Sequence, residues 1–446
     1  MRSTIDFKNI KFNKFDIGQL SFNIGVLLIS SILPISIIFL LFSLLISISI
    51  KKIKFIKDRW NLLLLVSFVL ILLSSIRSLI ENYFLISLDD KLLIIFNAIK
   101  WLILFILFPS FQIYLKTTSQ RYSFIKYFIA GSIPIILSCI LQYWFKIYGP
   151  FNFFYGLITW YNKPIISSTD GVSGLFSNQN YTGFWLSIVW PFCLTFFIKE
   201  KISKFKKSLY FIFLFFIIYF TIMTTSRSAL LGLIIALPLV LGIKMLMIIF
   251  TITIILLLIS HFLNLYFGLF NLSTILLPDT LKVLLSKIHN GNLFDIGSFT
   301  RIKIWNNTLN FISKKPLLGF GAGLFPLLYV TVDKYNAQHS HSFILQIAFD
   351  YGIPTALILS IFTILLLMRS ASRIFNTKRS YHHLNSLNIN KSWFAASLIA
   401  TISQITDMTF FDGKISIIII ILLAGLKCIF EDSEFYKTGD ETILNY

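Results

Sequence analysis

The stretch NAQHSHSFILQIAFDYGIPT, from Asn336 to Thr355, sets His339 and His341 two residues apart where a polar segment gives way to an apolar run. Imidazole ionises close to neutral pH, so a histidine at a helix end facing water suits a general base. Two other readings stand beside that one. At helical spacing His341 shares a face with Leu345 and Ala348, as a packing histidine would. A histidine pair also raises the question of a metal, but no Cys or Glu stands nearby as a third ligand, and Asp333 and Asp350 are poorly placed for it. The expectation is no metal and no cofactor.

Two arginines carry the second chemistry. Arg227 sits in TIMTTSRSALLGL, between two apolar runs with almost no loop. A charge inside a membrane costs about 2.5–3.5 kcal/mol on insertion scales. Either Arg227 snorkels to water, or its planar fork holds phosphate oxygens, with Thr224, Thr225, Ser226 and Ser228 adding hydroxyls. Arg301 precedes SKKPLLGFGAGLF, a Pro/Gly turn able to fold a loop back over the membrane. Gly319, Gly321 and Gly323 lack the preceding strand and following Lys-Ser/Thr of a phosphate loop, so a flexible turn is expected there. Also absent are a Gly-x-Ser-x-Gly elbow, a His-Glu-x-x-His pair and an Asp-x-Asp pair.

The elements that must position these residues are membrane helices. The 446 residues are 56% hydrophobic and only 13% charged, against about 25% charged in soluble domains, and mean hydropathy is +0.81. Runs of about 20 apolar residues point to helices rather than a barrel. The net charge of +20 lies in short Lys/Arg clusters between those runs, which fits cytoplasmic loops and not nucleic-acid binding. Apolar runs near 21–50, 61–80, 92–115, 123–145, 180–198, 208–226, 228–243, 245–267, 341–368, 392–411 and 415–430 predict an all-α polytopic fold in a single domain, 1–446. Basic residues flank the first run on both sides, so it is expected to be two short helices turning at Leu33-Pro34, giving about twelve helices with both termini inside. A large outside loop, 268–340, should carry an amphipathic helix near 278–288 and a second near 300–313, capped by Ser298 or Thr300, with Arg301, Trp305, Leu309 and Ile312 on one face. The aromatic loop near 146–180, with Phe154, Tyr155 and Trp160, reads as an interfacial belt or a stacking surface for sugar or lipid. Cys139, Cys193 and Cys428 are scattered packing residues. No cleavage site follows the basic start of the chain, so the first segment reads as uncleaved.

Three segments resemble the O-antigen ligase and polymerase superfamily of bacterial envelope glycan enzymes: SGLFSNQNYTGFWLSIVWPF (173–192), TTSRSALLGL (224–233), and RIKIWNNTLNFISKKPLLGFGAGLF followed by HSHSFILQ. The family's last motif is a His, then Asn, Ser or Gln, nine residues, Gly, two residues, and Gly, Thr or Tyr. His341-Ser342, Gly352 and Thr355 fit that frame, whereas His339 would put Asp350 at the glycine. Gln179 departs from the family's usual proline, and no arginine precedes Ser173-Gly174. The resemblance covers 170–356 with diagnostic residues and implies a multi-pass protein of the bacterial inner membrane, with a periplasmic site and the large loop between helices 9 and 10. It implies transfer of a glycan from undecaprenyl diphosphate to an acceptor lipid or glycan, without metal. His341 would be the base, Arg227 and Arg301 would hold the diphosphate, Arg77 would be a further phosphate contact, and His339, Ser342 and Ser226 would shape the pocket. Ligase, polymerase and a bicarbonate-transporter-like membrane protein remain open; the resemblance implies that the transporter-like members lack the His-Ser of 341–342, which favours the enzymes, and Arg77, Lys100 and Asp407 are too few to line a transport path.

Overall fold

The computed structural model describes residues 13–50, 57–81, 87–167, 170–198, 203–248, 296–333, 337–376 and 384–432, with 251, 252, 255 and 259 besides. The amphipathic segment expected near 278–288 and most of the 245–267 run lie outside these residues. Among the described residues eight helices are long and apolar enough to cross a membrane, as a multi-pass protein requires.

The first apolar run is two helices, α1 (Lys14–Leu28) and α2 (Leu33–Ile50). Pro34 falls in the first turn of α2, where its missing N–H leaves no helical bond unmade. Small residues bring the pair together: Ser36 Oγ donates to Gly25 O at 2.7 Å, and a Cβ on Gly25 would meet Leu40 at 2.7 Å. There follow α3 (Arg59–Glu81), α4 (Leu88–Phe111), α5 (Thr118–Gly131) and α6 (Ile133–Tyr143). A two-stranded hairpin, β1 (Phe151–Phe153) with β2 (Ile158–Trp160), occupies the aromatic loop and pairs Phe151 with Trp160. Next come α7 (Gln179–Ile198), α8 (Lys204–Met223), α9 (Arg227–Leu241), α10 (Ile296–Lys314) and α11 (Phe325–Val330). The chain continues through α12 (Phe343–Tyr351), α13 (Ile353–Phe375), α14 (Leu384–Thr406) and α15 (Gly413–Glu431). The three cysteines are free and buried, as packing residues would be.

Burial identifies the centre of the bundle. In α7 and α15, 83% of the membrane-length window is buried, against 22% in α2 and α8, so the first two are core helices and the last two face lipid. Helix α14 packs against both core helices, and the turn from α14 to α15 therefore closes one end of the core.

Two expectations are corrected here. Helix α10 begins at Ile296, so positions 298 and 300 fall inside it rather than at its start. Ile304, Thr308, Phe311 and Ile312 form its buried stripe, while Leu309 points away and is half exposed. The apolar run at 341–368 is not one helix, because Gly352 breaks it with a φ of +91°.

The break has a physical reason. Residues 316–321 lie across it, with Phe320 N–H donating to Phe349 O (2.8 Å), Gly321 N–H to Asp350 O (2.9 Å) and Ile353 N–H to Pro316 O (2.8 Å). Ser74 and Ser78 of α3 donate to the same carbonyl cluster. The glycine segment is thus a fixed backbone clasp and not a flexible turn; Gly319, Gly321 and Gly323 all have positive φ. A Cβ on Gly352 would lie 2.0 Å from Leu317 O. Gly352→Ala combines that overlap with a strained backbone and is expected to destabilise the fold by about 3 kcal/mol or more. Thermal unfolding in detergent, read beside Gly242→Ala, whose Cβ would meet nothing within 4 Å, measures this.

Candidate functional site

His341 lies before the helix, not on it. Ser342 is the N-cap of α12, its hydroxyl making no cap bond, and His341 has a φ of +55°, a left-handed conformation uncommon for any residue but glycine. The surrounding bonds hold that strain. Ser340 N–H donates to Gln346 Oε1 (2.8 Å), Ser340 Oγ donates to Ser342 O (2.9 Å), and Trp305 Nε1 of α10 donates to Ser340 O (2.9 Å). Gln346 in turn donates to the buried carboxyl of Asp350 at 3.0 Å. Asp350 is therefore a strut, and Asp333 pairs with Lys303 at 2.9 Å.

The residue that faces His341 comes from far along the chain. Asp407 Oδ1 lies 3.7 Å from His341 Nδ1, a buried ring nitrogen without a hydrogen-bond partner. Sequence reasoning missed this role, counting Asp407 as a charge within a membrane run. The fold puts it in the turn from α14 to α15, where Gln404 donates to Thr409 Oγ1 and accepts from Phe410 N–H, and Asp412 caps α15. Lys100 of α4 braces the turn through the carbonyls of Phe410 and Phe411. The available signal was a short DMTFFD link between two apolar runs, the place where a carboxylate can emerge at a helix end.

Arg301 completes the cluster. Its Nη1 donates to Thr406 O at 3.0 Å, one residue before Asp407. Burial pushes the Asp407 carboxyl up, yet His341, Arg301 and His339 together hold it below its ordinary value. His339 packs with its ring centre 4.3 Å from that of His341, and its Nδ1 accepts the His341 N–H at 3.1 Å. Burial lowers His339 to about 4, with His341 and Arg301 adding to the effect and Asp407 opposing it. His339 is therefore neutral at physiological pH.

That depression has a sign that can be measured. Between pH 6.5 and about 4 the unfolded chain binds a proton at His339 that the folded chain does not, so stability present above pH 6.5 is lost as pH falls through this window. Asp407, held low, stays ionised across most of it. Allowing for partial exposure, the loss is of order 2 kcal/mol. Thermal unfolding from pH 7 to pH 4 should show it, and His339→Asn should flatten the slope.

The other sequence-derived residues separate into two places. Arg227 is exposed in the first turn of α9, with no hydrogen-bond or ion-pair partner among the described residues. A cation at the positive end of a helix is unfavourable unless an anion joins it. Ser226 is the buried N-cap beside it, 3.2 Å from the Ser228 hydroxyl, and Thr225 has a φ of +57°. Gln179, the departure from proline, fixes this corner by donating to Thr225 Oγ1 (3.0 Å) and accepting from Gly171 N–H. Two residues on, Tyr181 lies close enough to Asp407 and Asp412 to feel both carboxylates, which places the Arg227 corner at the same end of the bundle. Arg77 stands apart from this cluster, paired with Glu81, which Lys315 also binds.

The donor atoms of His339, His341 and Asp407 lie within 4.8 Å of one another, so the fold supplies the third metal ligand that the sequence did not show. Against a cation there stand the Arg301 charge and the His339 Nδ1 already bonded to a backbone N–H.

Membrane-length helices whose end loops gather a histidine, a carboxylate and an arginine define a polytopic membrane protein with a polar site at one end of its core. Residues 212–360 match the family model described as O-antigen ligase, so this stretch of the chain is similar to that family. The matched stretch holds Arg227, Arg301 and His341, and ends before Asp407. No curated protein matches the chain.

Proposed function

We propose that the protein transfers a glycan from undecaprenyl diphosphate to an acceptor hydroxyl at the periplasmic face of the bacterial inner membrane, with both termini cytoplasmic. The observation that carries this reading is His341 Nδ1 turned to Asp407, with Arg301 fixed beside them and the His341 side chain 27% exposed. With Nδ1 facing the carboxylate at 3.7 Å, close enough to bond once the substrate tightens the site, Nε2 is the base left for the acceptor. It takes the acceptor's hydroxyl proton as that oxygen bonds to the anomeric carbon. The bond from that carbon to the diphosphate breaks, and undecaprenyl diphosphate leaves with the electron pair. Asp407 stabilises the imidazolium, which then returns its proton to water.

Arg301 and Arg227 hold the diphosphate and neutralise the charge that grows on it. At an effective dielectric of 20, one arginine–phosphate contact at 4 Å contributes about 4 kcal/mol before desolvation. Energy comes from the glycosyl-phosphate bond, so neither a nucleotide nor a metal is needed. The active form is a lipid A core ligase in the first reading, and a polysaccharide polymerase shares every step except the acceptor.

Purified protein incubated with undecaprenyl-diphosphate glycan and, separately, with lipid A core or free glycan tests this. Transfer to lipid A core is expected, with activity undiminished by a chelator. Product only with glycan would make it a polymerase, and loss of activity restored by metal would favour a metal role for His339, His341 and Asp407. No product with either acceptor would leave the transporter reading.

A further inference from the structure

Directly beneath the His341 loop lies a cavity of about 180 Å³, walled by α3, α4, α12, α13, α14 and α15. Its ceiling is aromatic. Phe343, two residues after His341, packs on Phe410, three residues after Asp407, at 5.2 Å, and Trp101 stacks on Phe410 at 5.1 Å. Most of the few polar groups in the wall are already satisfied: Thr363, Ser397 and Thr401 donate to carbonyls of their own helices, and Gln404 is bonded to the turn, with Ser360 the remaining hydroxyl. A lining with so few free polar groups offers water too few partners and favours an apolar occupant. Ile344, Ile364 and Ile405 at its rim are 44%, 52% and 49% exposed, so its mouth opens sideways onto the hydrocarbon of the bilayer.

We propose that this cavity receives the first isoprene units of the lipid-linked donor, an inference that rests on the transferase reading above. Ile405 of the rim immediately precedes Thr406, whose carbonyl holds Arg301. A chain anchored by its diphosphate at Arg301 therefore meets the mouth of the cavity at once. Its volume exceeds the roughly 150 Å³ of an apolar cavity known to take up benzene, enough for one or two five-carbon units. The cavity thus sets the register of the anomeric carbon below His341 and selects the carrier by its branched proximal chain.

The test uses the full-length protein in nanodiscs. An undecaprenyl diphosphate carrying a diazirine on its second isoprene unit should label peptides covering 359–364 and 397–405, and unlabelled undecaprenyl diphosphate should suppress this. A phospholipid with a diazirine in its acyl chain should not label them. Ala400→Phe, which fills the cavity from α14, should cut labelling about tenfold, the order expected when some two methylenes lose their burial. Labelling confined to other helices, or equal labelling by the phospholipid, overturns the proposal even if Ala400→Phe fails to fold. Labelling at these helices without glycan transfer would keep the cavity and remove the transferase reading. Transfer with labelling elsewhere would do the reverse.

Discussion

His341→Gln is expected to lower glycan transfer by about 100- to 10,000-fold, the range that a positioned proton acceptor contributes. Glutamine matches the imidazole in reach and hydrogen-bonding capacity but accepts no proton, so substrate binding should survive while turnover falls. The loop that presents the side chain is held by Trp305, Gln346 and Ser340 rather than by the imidazole itself. The thermal midpoint should therefore stay within a few degrees of the parent. His339→Gln provides the contrast. His339 accepts a backbone N–H and is neutral, so its loss should loosen the loop and cost far less activity.

Asp407→Asn should have the next largest effect, up to about 10,000-fold, the order seen where an amide replaces the carboxylate behind a catalytic histidine. In the proposed mechanism the carboxylate fixes which imidazole nitrogen carries the proton and offsets the charge formed during transfer. An amide does neither, and it can present its N–H₂ to Nδ1 and turn the tautomer over. In the proposed mechanism Asp407 positions the base, and the kinetics can tell this from a structural role. A fall in kcat with unchanged KM and an unchanged thermal midpoint is expected, with Asp407→Glu recovering part of the loss. A parallel fall in stability, or a rise in KM alone, would mean that the carboxylate chiefly packs the α14–α15 turn, where its Oδ1 also accepts Met408 N–H.

Much of this protein is written locally. The apolar runs give the membrane helices, and basic residues on both flanks of the first run forced a split that the structure places at residues 29–32. The spacing from His341 to Gly352 and Thr355 singled out His341 as the proposed base, and the structure gives that spacing a backbone cause. Gly352 must accept the 316–321 clasp, where any Cβ would strike Leu317 O, and Thr355 Oγ1 donates to Tyr351 O to begin α13. What the sequence hid is non-local. Asp407 reaches His341 only because α14 and α15 turn at the end of the core, and the break at Gly352 depends on a loop that comes from before α11. The hairpin at 151–160 shows no alternation strong enough to announce it. Arg77, read from the sequence as a further phosphate contact, is paired in the fold with Glu81 one turn on.

The central claim is that His341, backed by Asp407, draws the proton from an acceptor that displaces undecaprenyl diphosphate. Its most direct test is a single-turnover reaction of purified protein with undecaprenyl-diphosphate glycan and acceptor in excess chelator, counting glycan product and released undecaprenyl diphosphate together. The wild-type protein should form both in equal amounts, and His341→Gln should form neither on the same time scale. Equal rates for the two proteins would contradict the assignment of the base.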